Sequence, residues 1–108
     1  MFNRILVQAL QKTLQAGKSI LLIGPRQTGK TTLVRSLKSD LYINLLDPQT
    51  YTRYLAHPYL LKQEILTLHA KHPNPLVILD EVQRLPQVLD IVQILIDDNI
   101  AQFILTGS

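Results

Sequence analysis

Residues 24–32 read GPRQTGKTT, and in them two glycines, a lysine and a threonine stand at the spacing G-x-x-x-x-G-K-[ST]. Each fixed position of this phosphate-loop pattern has a chemical task. Gly24 and Gly29 permit a tight turn and close approach of the backbone, so that successive N–H groups and the start of a following helix point at phosphate oxygens. Lys30 would reach the β- and γ-phosphates of a nucleotide, and the Thr31 hydroxyl would complete a Mg²⁺ shell. Thr32 comes next as a packing residue or an α-phosphate contact. Pro25, Arg26, Gln27 and Thr28 fill the variable positions of the same loop. Pro25 stiffens it; Arg26 either meets a phosphate, a neighbouring subunit or another domain, or faces solvent.

A second chemical feature lies at LVILDE, residues 76–81, where an apolar run delivers Asp80 and Glu81 to its carboxyl end. In an open parallel sheet that edge is where ligands bind. Downstream of a phosphate loop, two adjacent acids divide the work: Asp80 orients Mg²⁺, usually through a water, and Glu81 positions and polarises the water that attacks a γ-phosphate. No glycine follows at the D-x-x-G position, which Gln83 occupies, and no N-K-x-D run occurs, so the pattern points to ATP rather than GTP. A third polar strand end, FILTGS at 103–108, contributes if its strand lies between those carrying the loop and the acids. Thr106, and after it Ser108, would then sense the γ-phosphate or hold the attacking water.

Positioning these groups requires alternating strands and helices. Phe2, Ile5, Leu6, Ala9, Leu10 and Leu14 recur at helical spacing before Gly17, which predicts an opening amphipathic helix. SILLIG at 19–24 shows no polar alternation and predicts a strand covered on both faces. Leu33, Val34 and Leu37 mark the inner face of the helix after the loop. LYINLL at 41–46 predicts a second strand, then Asp47 caps a helix with Pro48 at its first position. His57-Pro58 ends that helix, because a residue before proline is pushed out of helical geometry. Another helix buries Leu60, Leu61, Ile65 and Leu68, and the prolines of KHPNP stop it. Strand 76–80, a helix with Val88, Val92, Leu95 and Ile96 inward, and a strand at AQFILT complete the chain. Such alternation implies right-handed crossovers and a parallel sheet between helical layers, an α/β fold.

Composition narrows the class further. The chain has 108 residues, 46% of them hydrophobic and 18% charged, the balance of one globular domain. Its apolar runs fall far short of the roughly 20 residues a bilayer span needs. The N-terminal stretch lacks the uninterrupted apolar segment and small-residue cleavage site of a leader. There is no cysteine, which excludes disulfides and thiolate metal sites and is compatible with the cytoplasm. The formal charge of +3 comes from scattered lysines and arginines, as on ordinary solvated surface, and leaves nucleic-acid binding open. His57, His69 and His72 have no metal-ligand spacing. Tyr42, Tyr51, Tyr54 and Tyr59 read as helix and sheet packing rather than a base-stacking platform. Arg84 reads as a loop residue facing solvent.

LLIGPRQTGKTTL, YINLLDP, LVILDEVQRLP and FILTGS, in this order and spacing, resemble the AAA-type ATPase domain of a prokaryotic ATP-binding family, over essentially the whole chain. The resemblance implies a P-loop NTPase three-layer sandwich with a mainly parallel sheet. Gly24 to Thr32 would be its Walker A motif, Asp80 and Glu81 its Walker B motif, and the polar end of FILTGS its sensor 1, acting on ATP with Mg²⁺. The family continues with a fifth strand, a helical lid and often an arginine finger, followed by a C-terminal domain; none of these segments stands in this sequence. Residues 1–17 would form an N-terminal helix and 18–108 the core, a domain incomplete at its C-terminus from a shortened gene or a piece of a longer protein. In the family strand order, 5-1-4-3-2, SILLI would then form an apolar edge open to self-association or a protein partner. The expected function is Mg²⁺-dependent ATP hydrolysis in the complete protein, the alternative being nucleotide binding without effective hydrolysis.

Overall fold

The computed structural model describes residues 4–25 and 29–108. Along the chain run α1 (Arg4–Gln15), β1 (Ile20–Ile23), α2 (Lys30–Arg35), β2 (Leu41–Asn44), α3 (Pro48–Ala56), α4 (Tyr59–Lys71), β3 (Leu76–Asp80), α5 (Val88–Asp97) and β4 (Gln102–Gly107). A 3₁₀ turn at Val82–Arg84, which periodicity does not signal, follows β3. The four strands form one sheet in the order β1-β4-β3-β2, and every pairing is parallel. Strand β4 therefore lies between the strand that leads into the phosphate loop and the strand that carries the acids.

Period-2 alternation divides the apolar residues between two cores. Ile78 and Ile104 face α1 and α2, where they pack with Leu10, Leu33, Val34 and Leu37. Val77, Leu79 and Phe103 face the other way, against Leu61 and Ile65 of α4 and Val88, Ile91, Val92 and Leu95 of α5. Each fully buried side chain of this kind contributes about 1.5–3 kcal/mol through removal from water. The result is the expected three-layer α/β sandwich.

Local chemistry accounts for the breaks. Asp47 sits in extended geometry and its carboxylate accepts from the Thr50 backbone N–H at 3.1 Å and hydroxyl at 2.8 Å, with Pro48 opening α3. These hydrogen bonds hold the Asp47 carboxyl below its ordinary pKa. His57 and Pro58 separate α3 from α4, as the sequence predicts. Strand β2 stops two residues earlier than LYINLL suggests, because the Asn44 side chain accepts from the Leu46 N–H at 3.0 Å and turns the chain away from the sheet.

Three expectations about apolar faces are corrected. In α1 the inward residues are Val7, Leu10 and Leu14, while Ile5, Leu6 and Ala9 are exposed; Phe2 lies outside the described residues. These three inward residues form a narrow stripe packed in the core with Ile20, Leu22, Ile78 and Ile104. Strand β1 is not covered on both faces: Ile20 and Leu22 join the α1–α2 core, whereas Leu21 and Ile23 are 62% and 65% exposed. The α4–α5 core extends across the sheet as far as Leu105 of β4 and leaves β1 beyond its margin. Tyr59 is exposed rather than packed.

Candidate functional site

Because all four strands run the same way, the ends of β1, β3 and β4 open on one edge of the sheet. Gly24 follows β1 and donates its N–H to the carbonyl of Gly107 at 3.1 Å, so the beginning of the phosphate loop is fastened to the end of β4. Gly29 has φ 88° and ψ 7°, left-handed geometry that glycine adopts at no steric cost. As the residue before α2 it brings no side chain to the first-turn N–H groups, an arrangement in which an anion can take the cap's place. Lys30 and Thr31 open α2. The Lys30 ammonium donates to the carbonyl of Pro25 at 2.9 Å and to that of Gly24, curling back over the loop. Thr31 is half-buried and Thr32 exposed. Arg26, Gln27 and Thr28 lie outside the described residues.

The acids are held differently. Asp80 is 1% exposed and Glu81 3%, and a buried carboxylate is costly unless its oxygens receive hydrogen bonds. On Asp80, Oδ1 accepts from the Thr106 hydroxyl and Oδ2 from the Tyr42 hydroxyl at 2.5 Å. The Thr106 oxygen also accepts the Glu81 backbone N–H at 2.9 Å. One hydroxyl thus binds the side chain of one acid and the backbone of the next. Glu81 Oε1 accepts from the Ser108 hydroxyl at 2.7 Å and from Gln83 Nε2 at 2.8 Å. Glu81 itself has φ 61° and ψ 51°, left-handed geometry that costs a non-glycine residue about 1 kcal/mol or more. That turn directs consecutive acids onto different partners at the strand tip.

Around Asp80 a further layer forms. Tyr42 lies on the sheet face shared by Ile78 and Ile104, and its oxygen receives Arg35 Nε at 3.3 Å. The Arg35 guanidinium stands 5.2 Å from the centre of the Tyr42 ring. Burial, and then the bond to Asp80, raises the Tyr42 pKa to about 12, so the phenol remains a proton donor to the carboxylate at neutral pH. The hydrogen bond to Tyr42 raises the Arg35 pKa from its ordinary value.

The donor set suits Mg²⁺ with a nucleotide. Among the described residues no three His, Asp or Glu side chains gather into a metal cage. Mg²⁺ characteristically takes one or two protein oxygens and completes its shell with waters and phosphates. Thr31, at the start of α2, and Asp80, at the end of β3, could supply those oxygens.

Of the residues expected from sequence, the structure gathers Asp80, Glu81, Thr106 and Ser108 into one network, and Gly24, Pro25 and Lys30 into another. Tyr42 is more than packing, a correction to its reading. Arg35 and Gln83 carried no sequence signal as site residues. Tyr42 comes onto the face of Asp80 because it pairs with Ile78, two residues before Asp80, a register seen only in the folded sheet. Arg84, although exposed, lies 5.1 Å over the Tyr51 ring. The histidines lie apart from the site: His72 Nε2 is 3.7 Å from Asp40, and His69 Nδ1 is buried without a hydrogen-bond partner among the described residues. No helix among the described residues is long and apolar enough to cross a membrane.

Comparison with known proteins agrees with this architecture. An uncharacterized protein of Mycobacterium bovis and one of Mycobacterium tuberculosis are each 34% identical to the chain over 104 residues, covering 92% of this chain and 22% of the relative. The chain therefore spans about a fifth of the length of the curated relatives it matches. A family model described as an AAA domain matches residues 16–108, from the end of α1 through β4. With a parallel sheet in the order β1-β4-β3-β2 and a phosphate-loop pattern after its first strand, the chain belongs to the AAA domain family, whose members are ATPase-like nucleotide-binding domains.

Proposed function

We propose that this chain binds ATP with Mg²⁺ across the carboxyl edge of its sheet, as the nucleotide-binding part of a Mg²⁺-dependent ATPase that converts ATP and water to ADP and phosphate. The observation that carries the reading is the placement of Asp80 and Glu81 beside β4, whose Gly107 is bonded to the first glycine of the phosphate loop.

Gly24 to Thr32 would wrap the phosphates, with backbone N–H groups as the main donors. Lys30, resting on loop carbonyls, would turn its ammonium to the β- and γ-phosphates, exchanging neutral acceptors for charged ones. Thr31 and Asp80 would hold Mg²⁺, Asp80 through water. When bound, the ion would supply positive charge that offsets the charge developing on the phosphates. Glu81 would orient the attacking water and accept its proton. Thr106 keeps the two acids in register, and Ser108 holds the Glu81 carboxylate; either hydroxyl would be the one to respond when a γ-phosphate arrives.

The second reading, nucleotide binding without effective turnover, is favoured by the paired donors on Glu81. Gln83 and Ser108 both donate to Oε1 and so occupy that oxygen's acceptor directions against an incoming water.

The test pairs a binding titration with a turnover assay. Lys30→Ala is expected to abolish nucleotide binding. Glu81→Gln is expected to retain binding and lose hydrolysis wherever the wild type turns over. Equal loss of binding in both variants would refute the assigned roles, while binding by the wild type without phosphate release would select the second reading.

A further inference from the structure

Asp80 is positioned by more than its own strand. Its two oxygens receive hydroxyl protons from opposite neighbours, Thr106 on β4 and Tyr42 on β2. A single donor would leave the carboxylate able to rotate about that bond; a donor on each oxygen fixes its plane. Each carboxylate oxygen has about two acceptor directions, so one on each remains for the waters of a metal ion, in an orientation set by the hydroxyls.

Tyr42 is oriented in turn by Arg35. The guanidinium lies over its ring and Nε donates to its oxygen, which directs the phenolic proton toward Asp80. Arg35 is the last residue of α2, and Lys30 and Thr31 are its first. The six residues of α2 form one short piece of helix, about 9 Å long. Leu33 and Val34, buried in its middle, anchor that piece on the sheet face that also carries Tyr42. The start of α2 thus belongs to the phosphate loop, and its end is linked through Tyr42 to the acid.

We propose that Tyr42 is a positioning residue for the metal-holding carboxylate of Asp80, and that Arg35, acting through Tyr42, couples the placement of Asp80 to the helix that begins at the phosphate loop. The inference rests on the Mg²⁺-nucleotide reading given above. It assigns the pair no contact with the nucleotide and makes them determinants of how strongly Mg²⁺ increases nucleotide affinity.

The experiment measures the affinity of a non-hydrolysable ATP analogue by calorimetric titration, once with Mg²⁺ and once with a chelator, alongside thermal melting of the ligand-free protein. The gain in affinity caused by Mg²⁺ should fall about tenfold in Tyr42→Phe, the lower end of the effect typical for residues that orient a metal ligand. Affinity without metal should stay within about twofold of wild type. Arg35→Met, at an exposed position whose loss leaves the core intact, should reduce the same gain about threefold and carries the test if Tyr42→Phe does not fold. In an Asp80→Asn background Tyr42→Phe should have no further effect on the gain. An unchanged gain in folded Tyr42→Phe and Arg35→Met, with wild type responding to Mg²⁺, overturns this inference alone. If the folded wild type binds the analogue equally with and without Mg²⁺, the functional reading fails and the inference fails with it. Equal weakening with and without metal would make Tyr42 a structural residue and overturn its positioning role.

Discussion

The two halves of the site are built from different materials. Among its described residues the loop half rests mainly on backbone and the Lys30 cation: Gly24 is tied to β4 through its N–H, Gly29 supplies a left-handed turn, and Lys30 rests on the carbonyls of its own loop. In the acid half, side chains from β2, β3, β4 and the adjoining turn bond one another, with the carboxylates buried. The acids are thus part of the folded core before any ligand arrives, whereas on the proposed reading the lysine would exchange weak partners for strong ones when phosphate comes. Substitutions in the loop should register mainly in binding, and those in the acid network in the stability of the ligand-free protein.

The largest expected effect is that of Lys30→Ala, a loss of at least about a hundredfold in nucleotide affinity, since hydrogen bonds to charged groups carry about 1.5–3 kcal/mol each. The ligand-free melting temperature should stay near wild type; a large fall would erase the contrast between the halves. Thr106→Val should do the reverse. It removes a donor to Asp80 and an acceptor for the Glu81 N–H while preserving side-chain shape, leaving buried groups unsatisfied at about 1–3 kcal/mol each. Denaturant unfolding of the ligand-free variant should show a loss of about 2 kcal/mol or more, and an unchanged midpoint would mean that the acid half is not part of the core.

Gly29→Ala gives a smaller effect. An added Cβ meets no atom of the described residues within 4 Å, so the expected cost is that of left-handed backbone, about 1 kcal/mol. The same unfolding experiment measures it, and a loss as great as that in Thr106→Val would show the loop to be as tightly packed as the acids. Smallest is Asp47→Ala, at a corner outside both halves. Because folding lowers the Asp47 pKa from 3.8, its stabilisation is present above that value and disappears as pH falls through the lower folded value. Melting curves from pH 7 to pH 2.5 should show a modest deficit in the variant that closes at the acid end. A deficit constant across the range would assign the effect to helix propensity instead.

The parts legible in the sequence were those in which residue type dictates chemistry. A glycine before a helix, a lysine after it and two acids ending an apolar strand announce themselves, as do Asp47-Pro48 and His57-Pro58 as helix boundaries. What escaped depended on register and neighbours. Tyr42 reaches Asp80 only because β2 pairs with β3 in one particular register, and nothing in LYIN distinguishes a phenol that packs from one that donates. Gln83 meets Glu81 through left-handed backbone at a residue type that gives no warning of it. The apolar run of β1 promised cover on both faces, but an apolar residue records a preference and not the presence of a neighbour. Ile91, buried in α5, stands three residues after Val88 and four before Leu95, so helical spacing alone places it on the inner stripe that the sequence reading left it out of.

The central position of β4 also governs the order in which the molecule can come together. Strand β1 has β4 as its partner, and the hydrogen bond from Phe103 N–H to the Ser19 hydroxyl joins residues 84 positions apart. Closing so long a loop is entropically expensive before the contacts it brings are made, which slows parallel pairing. Until β4 inserts, β1 has no sheet to join and Asp80 lacks Thr106. A growing chain therefore carries its phosphate loop through the synthesis of β2, β3 and β4 before loop and acids can be joined, and the insertion of β4 brings both halves together.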